Sequence, residues 1–319
     1  MKILITGGAG FIGSHLAERL LEKEDEVYVI DNFSTGKLEN IRHFFSESKF
    51  HLTVGTILDE KTLEPLVEVC DQVYNLAAAV GVRLIIEKPV ETIETNILGT
   101  EIVLKLANKY KKKVLVPSSS EVYGKGNHVP FTEEDDRTYG PTTKSRWSYA
   151  SSKAVDEFLA MAYFHEKKLP LVIARLFNTI GPRQTGSYGM VVPSFVQQAL
   201  LGHPITVYGD GEQTRSFTYV DDVVSALLKL MEHPQAVGEV FNVGNTEEVS
   251  INDLASLVKK LTDSQSQIVH IPYEQAFEKG FEDMQRRVPD ITKIKKLIGF
   301  NPTVSLEEGI RKIMEYYRR

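Results

Sequence analysis

Short apolar runs alternate with longer amphipathic segments through the first half of the chain. Residues 2–6, Lys-Ile-Leu-Ile-Thr, form the first apolar run, and a helical pattern follows over 14–22. Runs this short predict buried strands, whereas helical periodicity predicts helices. Further strands are predicted at 26–30, 50–54, 71–76, 114–116 and 171–176, and helices at 60–69, 90–110 and 144–167. This repetition predicts an α/β fold, a Rossmann doubly wound parallel sheet.

The alternation weakens after residue 176. The pattern there predicts helices at 191–201, 220–231, 251–261 and 306–317, a strand at 240–242, and a strand at 205–211 paired with 214–218. We therefore expect a smaller, interleaved C-terminal α/β substrate domain. The predicted division is a Rossmann domain over 1–176, with the segment near 220–262 returning to it, and a substrate domain mainly over 177–319.

A glycine-rich turn follows the first predicted strand. Gly7, Gly10 and Gly13 have the spacing G-x-x-G-x-x-G and lead directly into the first helix. Glycines so placed allow a tight turn and a close approach of the backbone to a pyrophosphate, which the helix N-terminus favours. The residues between the last two glycines, Phe11 and Ile12, are included in the predicted cofactor site.

The second strand ends in a carboxylate that bears on the choice of cofactor. Asp31 can accept hydrogen bonds from the adenosine ribose hydroxyls, and Asn32 follows it where a binder of NADP would favour arginine. Ala77 begins a small-residue turn after the strand at 71–76, where the backbone can approach a ligand. We predict that NAD, and not NADP, binds here.

Tyr149 and Lys153 are one helical turn apart, so both side chains lie on the same face of the predicted helix. Lowering the pKa of a tyrosine from about 10 by roughly 3 units requires about 4 kcal/mol. One cation at about 5 Å, with an effective dielectric near 20, supplies roughly 3 kcal/mol. Lys153 and an oxidised nicotinamide ring would together suffice. An isolated pair with this spacing is more often an ordinary surface or core pair.

A polar run follows the strand at 114–116, at the sheet edge where ligands bind in open parallel sheets. It contains Ser119, Ser120 and Glu121. The alternative interpretation is that the serines cap the next turn and that Glu121 is a solvated turn residue. Together with Tyr149 and Lys153, the run indicates a catalytic site.

Composition narrows the range of partners. The chain has 319 residues, 42% of them hydrophobic and 25% charged, and a net charge of -6. We expect no nucleic acid or membrane partner, because no broad basic surface and no apolar run of membrane-spanning length is evident. Cys70 is the single cysteine, and no Cys/His cluster indicates a metal site. A cytoplasmic location is the expectation.

These motifs together resemble the extended short-chain dehydrogenase/reductase family that remodels nucleotide-linked sugars. Further matches lie downstream, at 175–178, 181–183, 206–211, 214–217 and 288–290. The resemblance implies bound NAD that is regenerated through a 4-keto sugar. It implies that Tyr149 is the base for the C4 hydroxyl, that Lys153 assists it and binds the ribose, and that Ser119 binds the C4 oxygen.

The resemblance also implies a set of substrate contacts. Asn178, Arg215 and Arg287 would hold the diphosphate or sugar of a UDP-sugar, and Tyr208 would lie near the nucleobase. Further candidates are Ser120, Arg83 and Arg146. The long helices at 90–110 and 144–166 form a dimer interface in relatives, so a homodimer is expected.

Ser120-Glu121 looks like the pair found in UDP-glucuronate decarboxylases, and Arg146-Trp147 is similar to the segment that precedes the tyrosine in decarboxylases of this family. Oxidation at C4 turns a glucuronic acid into a β-keto acid that can lose CO2, with Glu121 acting near the C5 carboxylate. The alternative is a UDP-hexose or UDP-hexuronate 4-epimerase, which needs only Tyr149, Lys153 and Ser119. A non-catalytic dinucleotide sensor is a third reading, although it has no need of a phenolate.

Overall fold

A computed structural model describes residues 1–81, 87–126, 128–186, 190–276 and 284–318. Its strands are β1 (Lys2–Thr6), β2 (Glu26–Asp31), β3 (Phe50–Val54), β4 (Gln72–Asn75), β5 (Lys113–Ser119), β6 (Leu171–Leu176), β7 (Thr179–Ile180), β8 (Ile205–Tyr208), β9 (Thr214–Ser216), β10 (Thr218–Tyr219), β11 (Val240–Val243), β12 (Glu248–Ser250), β13 (Ile268–Ile271) and β14 (Arg286–Arg287). Its α-helices are α1 (Phe11–Glu22), α2 (Glu60–Val69), α3 (Pro89–Tyr110), α4 (Arg146–Lys167), α5 (Val191–Leu200), α6 (Val220–Glu232), α7 (Ile251–Thr262), α8 (Tyr273–Ala276), α9 (Thr292–Ile298) and α10 (Leu306–Arg318).

Seven strands form one parallel sheet in the order β11-β6-β5-β4-β1-β2-β3. The order reverses between β1 and β4, which is the switch point where ligands bind in such sheets. Successive residues of β1 enter opposite cores: Ile3 and Ile5 pack with α1 and α6, whereas Leu4 packs with α2 and α3. Burial on both faces explains the continuous apolar run. The predicted doubly wound fold is confirmed.

A smaller core lies beyond this sheet and contains side chains from β8, α5, α7 and α10. β8 pairs with β13 in parallel, and β9 lies between β12 and β14. The predicted pairing of 205–211 with 214–218 is therefore wrong. Gly209 and Gly211 both have positive φ, at 72° and 76°, and they turn the chain away from a hairpin.

Two segments from the second half of the chain complete the large sheet. β11 lies beside β6 at the sheet edge, and side chains of α6 enter the same core as those of α1. By contrast, α7 packs against α5 and α10 in the smaller core. Among the described residues no helix has both the length and the apolar character to cross a membrane.

Candidate active site

The glycine turn between β1 and α1 is shaped by close backbone contacts. Gly7 has φ of +70°, and a Cβ added there would lie 2.8 Å from the Ala77 nitrogen. A Cβ on Gly13 would overlap the Gly7 carbonyl oxygen. Gly10 caps α1 without a side chain, and the first turn of α1 has no acidic residue. An anionic pyrophosphate fits such a helix N-terminus.

Asp31 lies at the end of β2, beside this turn. One carboxylate oxygen accepts from the Ala9 amide at 2.9 Å, and the other accepts from the Phe33 amide at 2.8 Å. Burial raises the pKa of Asp31, and the two amides act in the opposite direction. Each oxygen keeps a second lone pair that a ribose hydroxyl could use. Asn32 is exposed and accepts from the Ser34 amide at 3.0 Å.

Buried polar side chains hold the turn at Ala77. The Thr6 hydroxyl donates to Asn75 at 2.9 Å and accepts from the Ala77 amide at 3.0 Å. The Asn75 amide group contacts the Thr100 hydroxyl at 3.4 Å. Thr6 and Asn75 were missed from the sequence, although each ends a strand at the ligand-binding edge of the sheet. These contacts, together with Gly7, form a cradle that suits a dinucleotide.

Tyr149 is buried in the first turn of α4, at 6% exposure. Desolvation raises its pKa well above 10, the Glu121 carboxylate adds to this effect, and a hydrogen bond with Ser119 opposes it. Proton abstraction by Tyr149 therefore requires additional positive charge nearby, as the sequence argument anticipated.

Lys153, one turn further along α4, contacts a carboxylate that the sequence analysis did not identify. Its ammonium donates to Asp156 at 2.7 Å, and both side chains are buried. Asp156 follows Lys153 by three residues and Tyr149 by seven, so all three lie on one helix face. That spacing was a usable signal in the sequence.

Ser119 is the last residue of β5, which continues through Ser118 instead of ending near residue 116. The Ser119 hydroxyl accepts from the Glu121 amide at 3.2 Å and so caps the short 3-10 helix Ser120–Tyr123. The same hydroxyl bonds to Tyr149. The Ser119 hydroxyl therefore both caps the 3-10 helix and contacts the candidate base. The next residue, Ser120, is buried at 2% exposure.

Glu121 is buried between two arginines, and so it is not a solvated turn residue. Arg146 approaches one carboxylate oxygen at 2.9 Å, and Arg287 donates to the other. Burial would raise the pKa of Glu121, but the two guanidinium groups outweigh it and lower the pKa to about 2. Glu121 is thus a carboxylate throughout the neutral range.

Arg287 connects Glu121 to the remaining predicted substrate residues. It donates to the Asn178 side-chain oxygen at 2.7 Å, and Arg215 is its register partner across β9 and β14. Arg215 donates to the Thr214 carbonyl at 2.7 Å. Tyr208 ends β8 and is 40% exposed. The predicted Arg83 lies outside the described residues.

A second buried ion-pair network supports the turn that carries Glu121. Arg175 makes two hydrogen bonds to Glu157, both at 2.9 Å, and a third to the Tyr123 hydroxyl at 2.8 Å. Tyr123 in turn donates to Asn242 at 2.6 Å. Because Tyr123 ends the 3-10 helix that begins at Ser120, this network ties the turn to α4, β6 and β11.

Comparison with known proteins assigns the chain to a family. Residues 4–313 match the family described as GDP-mannose 4,6 dehydratase. A UDP-N-acetyl-alpha-D-glucosaminuronate decarboxylase of Bacillus cytotoxicus is 45% identical over 318 residues, which cover 99% of this chain and 98% of that protein. UDP-glucuronic acid decarboxylase 1 of Xenopus tropicalis is 40% identical, over 100% of this chain and 72% of its own.

The solved structures similar to this chain include enzymes with a different reaction. A UDP-glucuronic acid 4-epimerase from Bacillus cereus, in complex with UDP-glucuronic acid and NAD, is 32% identical with a TM-score of 0.90. The alignment covers 100% of this chain and 99% of that one. The chain therefore belongs to the GDP-mannose 4,6 dehydratase family, within the extended short-chain dehydrogenases/reductases that its motifs resemble.

Proposed function

We propose that the chain is an NAD-dependent decarboxylase that acts on UDP-glucuronate, or on a closely related UDP-linked uronic acid. Its product would be UDP-xylose or the corresponding 4-keto pentose. The observation that carries the proposal is the buried cluster of Glu121, Arg146 and Arg287 beside Tyr149. The relatives named as decarboxylases of UDP-linked uronic acids support the same reaction.

The proposed cofactor is NAD, and the residues present fit it. Gly7, Gly13 and Ala77 would receive the pyrophosphate, and Asp31 would accept from the adenosine ribose. When bound, the oxidised nicotinamide would accept hydride from the sugar C4 and later return it. It would also add the positive charge that Tyr149 lacks in the resting site.

Tyr149 would remove the proton from the C4 hydroxyl as hydride leaves C4. Its bond to Ser119 places a hydroxyl where the same sugar oxygen could be held, which would stabilise the charge that develops there. Lys153 would contribute its cation and bind the nicotinamide ribose. The roles of Ser119, Tyr149 and Lys153 are common to the decarboxylase and the epimerase.

The arginines distinguish a uronic acid from a neutral sugar. Arg146 and Arg287 both pair with Glu121, and Arg215 is the register partner of Arg287, so three guanidinium groups lie in this part of the site. A uronate carboxylate would be attracted to these guanidinium groups, whereas a neutral hexose would gain less from them. Buried guanidinium groups also bind carboxylates with two parallel hydrogen bonds.

Loss of CO2 follows from the position of the new carbonyl. With a ketone at C4, the C6 carboxylate lies β to the carbonyl, so the electron pair of the C5–C6 bond can delocalise onto the C4 oxygen as CO2 departs. C5 must then gain a proton. Glu121, which stays ionised between its arginines, is suited to orient a water or a protonated group toward C5 and not to supply a resting proton of its own.

The second candidate is a UDP-hexuronate 4-epimerase. It is favoured by the close likeness to the solved UDP-glucuronic acid 4-epimerase over the whole chain. In that reaction the 4-keto sugar turns over and receives hydride on its other face, and the C5–C6 bond remains intact. Glu121 would then only position the arginines.

Proton NMR of the anomeric region, with trapping of CO2, separates the two reactions. The purified protein is incubated with NAD and UDP-glucuronate, and in parallel with the 2-acetamido analogue. Pentose-type signals with stoichiometric CO2 are expected. A Tyr149→Phe variant should bind NAD normally but turn over about 10²- to 10⁴-fold more slowly. A galacturonate signal without CO2 would contradict the decarboxylase, and a Tyr149→Phe variant that lost turnover but kept all biological activity would revive the dinucleotide sensor.

We further propose a homodimer, formed through one face of α3 and α4. Large apolar side chains are exposed on these two helices, namely Val90, Ile93, Leu98, Val155 and Phe158. The helices pack against each other, so these exposed side chains lie on neighbouring helices that a second copy could cover. A cytoplasmic location also remains our proposal, consistent with the free and buried thiol of Cys70.

A further inference from the structure

Asn242, in β11, is a buried polar side chain that the proposed reaction does not use. It is 0% exposed, and its side chain makes three hydrogen bonds. Its oxygen accepts from the Tyr123 hydroxyl at 2.6 Å, whereas its nitrogen donates to the carbonyl oxygens of Phe131 at 2.9 Å and Asp290 at 3.3 Å. Both hydrogens of the amide group are thereby used. One side chain thus joins three segments that are distant in the sequence.

The first partner of Asn242, Tyr123, belongs to the turn that carries Glu121. Both residues lie in the 3-10 helix Ser120–Tyr123, and the Gly124 amide donates to the Glu121 carbonyl at 3.0 Å. The Tyr123 ring is fully buried and stacks on Phe131, with the ring centroids 4.5 Å apart. Because Tyr123 follows Glu121 by only two residues in one turn, a bond to its hydroxyl also restrains the backbone of Glu121.

The other two partners of Asn242 hold the segment that follows Arg287. Phe131 pairs with this segment in an isolated parallel bridge. Its amide donates to the Val288 carbonyl at 2.8 Å, and its carbonyl accepts from the Asp290 amide at 2.7 Å. The Asn242 side chain donates to that same Phe131 carbonyl and to the Asp290 carbonyl, so it bonds both sides of the bridge. Arg287 directly precedes Val288 and is therefore restrained by the bridge.

The partners of Asn242 flank both members of the buried ion pair between Glu121 and Arg287. The fit of this pair depends on how the turn after β5 is set against β14, and Asn242 connects these two regions through one side chain. A buried asparagine with its hydrogen bonds satisfied contributes to stability wherever it lies. Here its bonds have a second effect, because they fix the turn and the strand relative to each other.

We propose that Asn242 is a positioning residue that sets Arg287 against Glu121 and so shapes the charged part of the sugar pocket. The inference rests on the proposed function, in which these two side chains face the uronate. Asn242 is fully buried and acts through its hydrogen bonds. Without them the turn and β14 would be free to shift apart, and Glu121 would keep Arg146 as its better-held partner.

The test is a double-mutant cycle of urea unfolding at pH 7 between Asn242→Leu and Glu121→Gln. Leucine keeps the branching of asparagine at Cγ but makes no hydrogen bonds. The shift in urea midpoint caused by Glu121→Gln should fall by about half in the Asn242→Leu protein, because one of the two guanidinium groups is no longer held against Glu121. A purely stabilising asparagine would leave the two effects additive. An equal shift in both backgrounds would overturn the proposal.

Asp222→Asn is the matched control, because Asp222 is a buried carboxylate that accepts from the Thr303 and Val304 amides. It should lower stability but leave the shift caused by Glu121→Gln unchanged. If Asn242→Leu does not fold, the cycle is run with Tyr123→Phe, which keeps the stacked ring and loses only the hydroxyl that bonds Asn242. A reduced shift is expected there as well, and additivity would overturn the proposal.

Turnover supplies a second measurement. Asn242→Leu should lower kcat/KM for UDP-glucuronate about 10- to 10²-fold, as expected when a group that holds the substrate is misplaced by about 1 Å. Asp222→Asn should leave kcat/KM unchanged. Coupling in the cycle with an unchanged kcat/KM in Asn242→Leu would also overturn the proposal. If the wild-type protein does not turn over UDP-glucuronate, the proposed function fails, but the cycle needs neither substrate nor cofactor and still decides whether Asn242 sets the ion pair.

Discussion

Glu121 and Arg287 lie 166 residues apart in the chain, and their side chains form a buried ion pair. Glu121 follows β5 of the large sheet, whereas Arg287 belongs to β14 beside the smaller core. The pair therefore joins the two parts of the molecule at the place where the substrate is proposed to bind. Arg146, at the start of α4, completes the charge balance around Glu121.

The pH dependence of stability should report this ion pair. The folded pKa of Glu121, about 2, is below its ordinary value of 4.5. Glu121 therefore contributes stability above about pH 4.5, and this contribution is lost as the pH falls toward 2. The shift corresponds to roughly 3 kcal/mol. Urea unfolding of wild type and Glu121→Gln at a series of pH values should give curves that converge in acid. Parallel curves would contradict the assignment.

Arg175, which pairs with Glu157, provides a test of the buried network at Tyr123. Arg175→Lys cannot keep both hydrogen bonds to Glu157 and the third to Tyr123, so it should lower the free energy of unfolding by about 3 kcal/mol. Arg311→Lys is the control, because Arg311 pairs with Glu307 on the exposed face of α10 at 2.7 Å. It should change the unfolding free energy by less than about 0.5 kcal/mol. Equal effects of the two changes would show that the network adds no stability.

The glycine cradle can be tested with two alanine substitutions at the same backbone conformation. Gly7 and Gly202 both have φ of +70°, but only at Gly7 does an added Cβ meet neighbouring backbone. Gly202→Ala should cost about 1 to 2 kcal/mol of stability from the left-handed conformation alone. Gly7→Ala should cost more and should weaken NAD binding at least tenfold, because the turn must shift away from Ala77. Calorimetric titration with NAD measures the affinity, which Gly202→Ala should leave unchanged.

The proposed dimer depends on Phe158, which is 66% exposed on α4. Phe158→Asp places a charge in an apolar contact and should shift the protein to a monomer in light scattering at micromolar concentration. Leu201→Asp is the control, since Leu201 is 69% exposed just beyond the end of α5 and belongs to neither α3 nor α4. A wild-type protein that is monomeric at all concentrations would contradict the proposal.

The large sheet was predictable because its strands are buried on both faces. The alternating cores of Ile3 and Leu4 explain why residues 3–5 are all apolar, and the positive φ of Gly7 explains why the turn needs glycine. Local sequence patterns were therefore sufficient to predict both the large sheet and the glycine turn. The boundaries of the two domains remain a prediction.

Contacts between distant segments could not be predicted in the same way. The partner of β8 is β13, about sixty residues further along, and the pattern of neither strand specifies the other. Glu157 and Arg175 illustrate the same limit, because each looks like an ordinary surface charge until the fold buries both. The contact between Lys153 and Asp156 is different, because the two residues are three positions apart on one helix. It was missed, although this spacing was visible in the sequence.

The position of Arg287 near the end of the chain has a consequence for how the protein matures. Every strand of the large sheet, and the glycine turn, precede residue 244, whereas β14 adds Arg287 to the site some forty residues later. During synthesis, the parts that would capture a dinucleotide are thus made well before the guanidinium that completes the charge of the sugar pocket. Ser119, Tyr149 and Lys153 are also made before Arg287, so the ion pair around Glu121 is the last part of the proposed site to be completed.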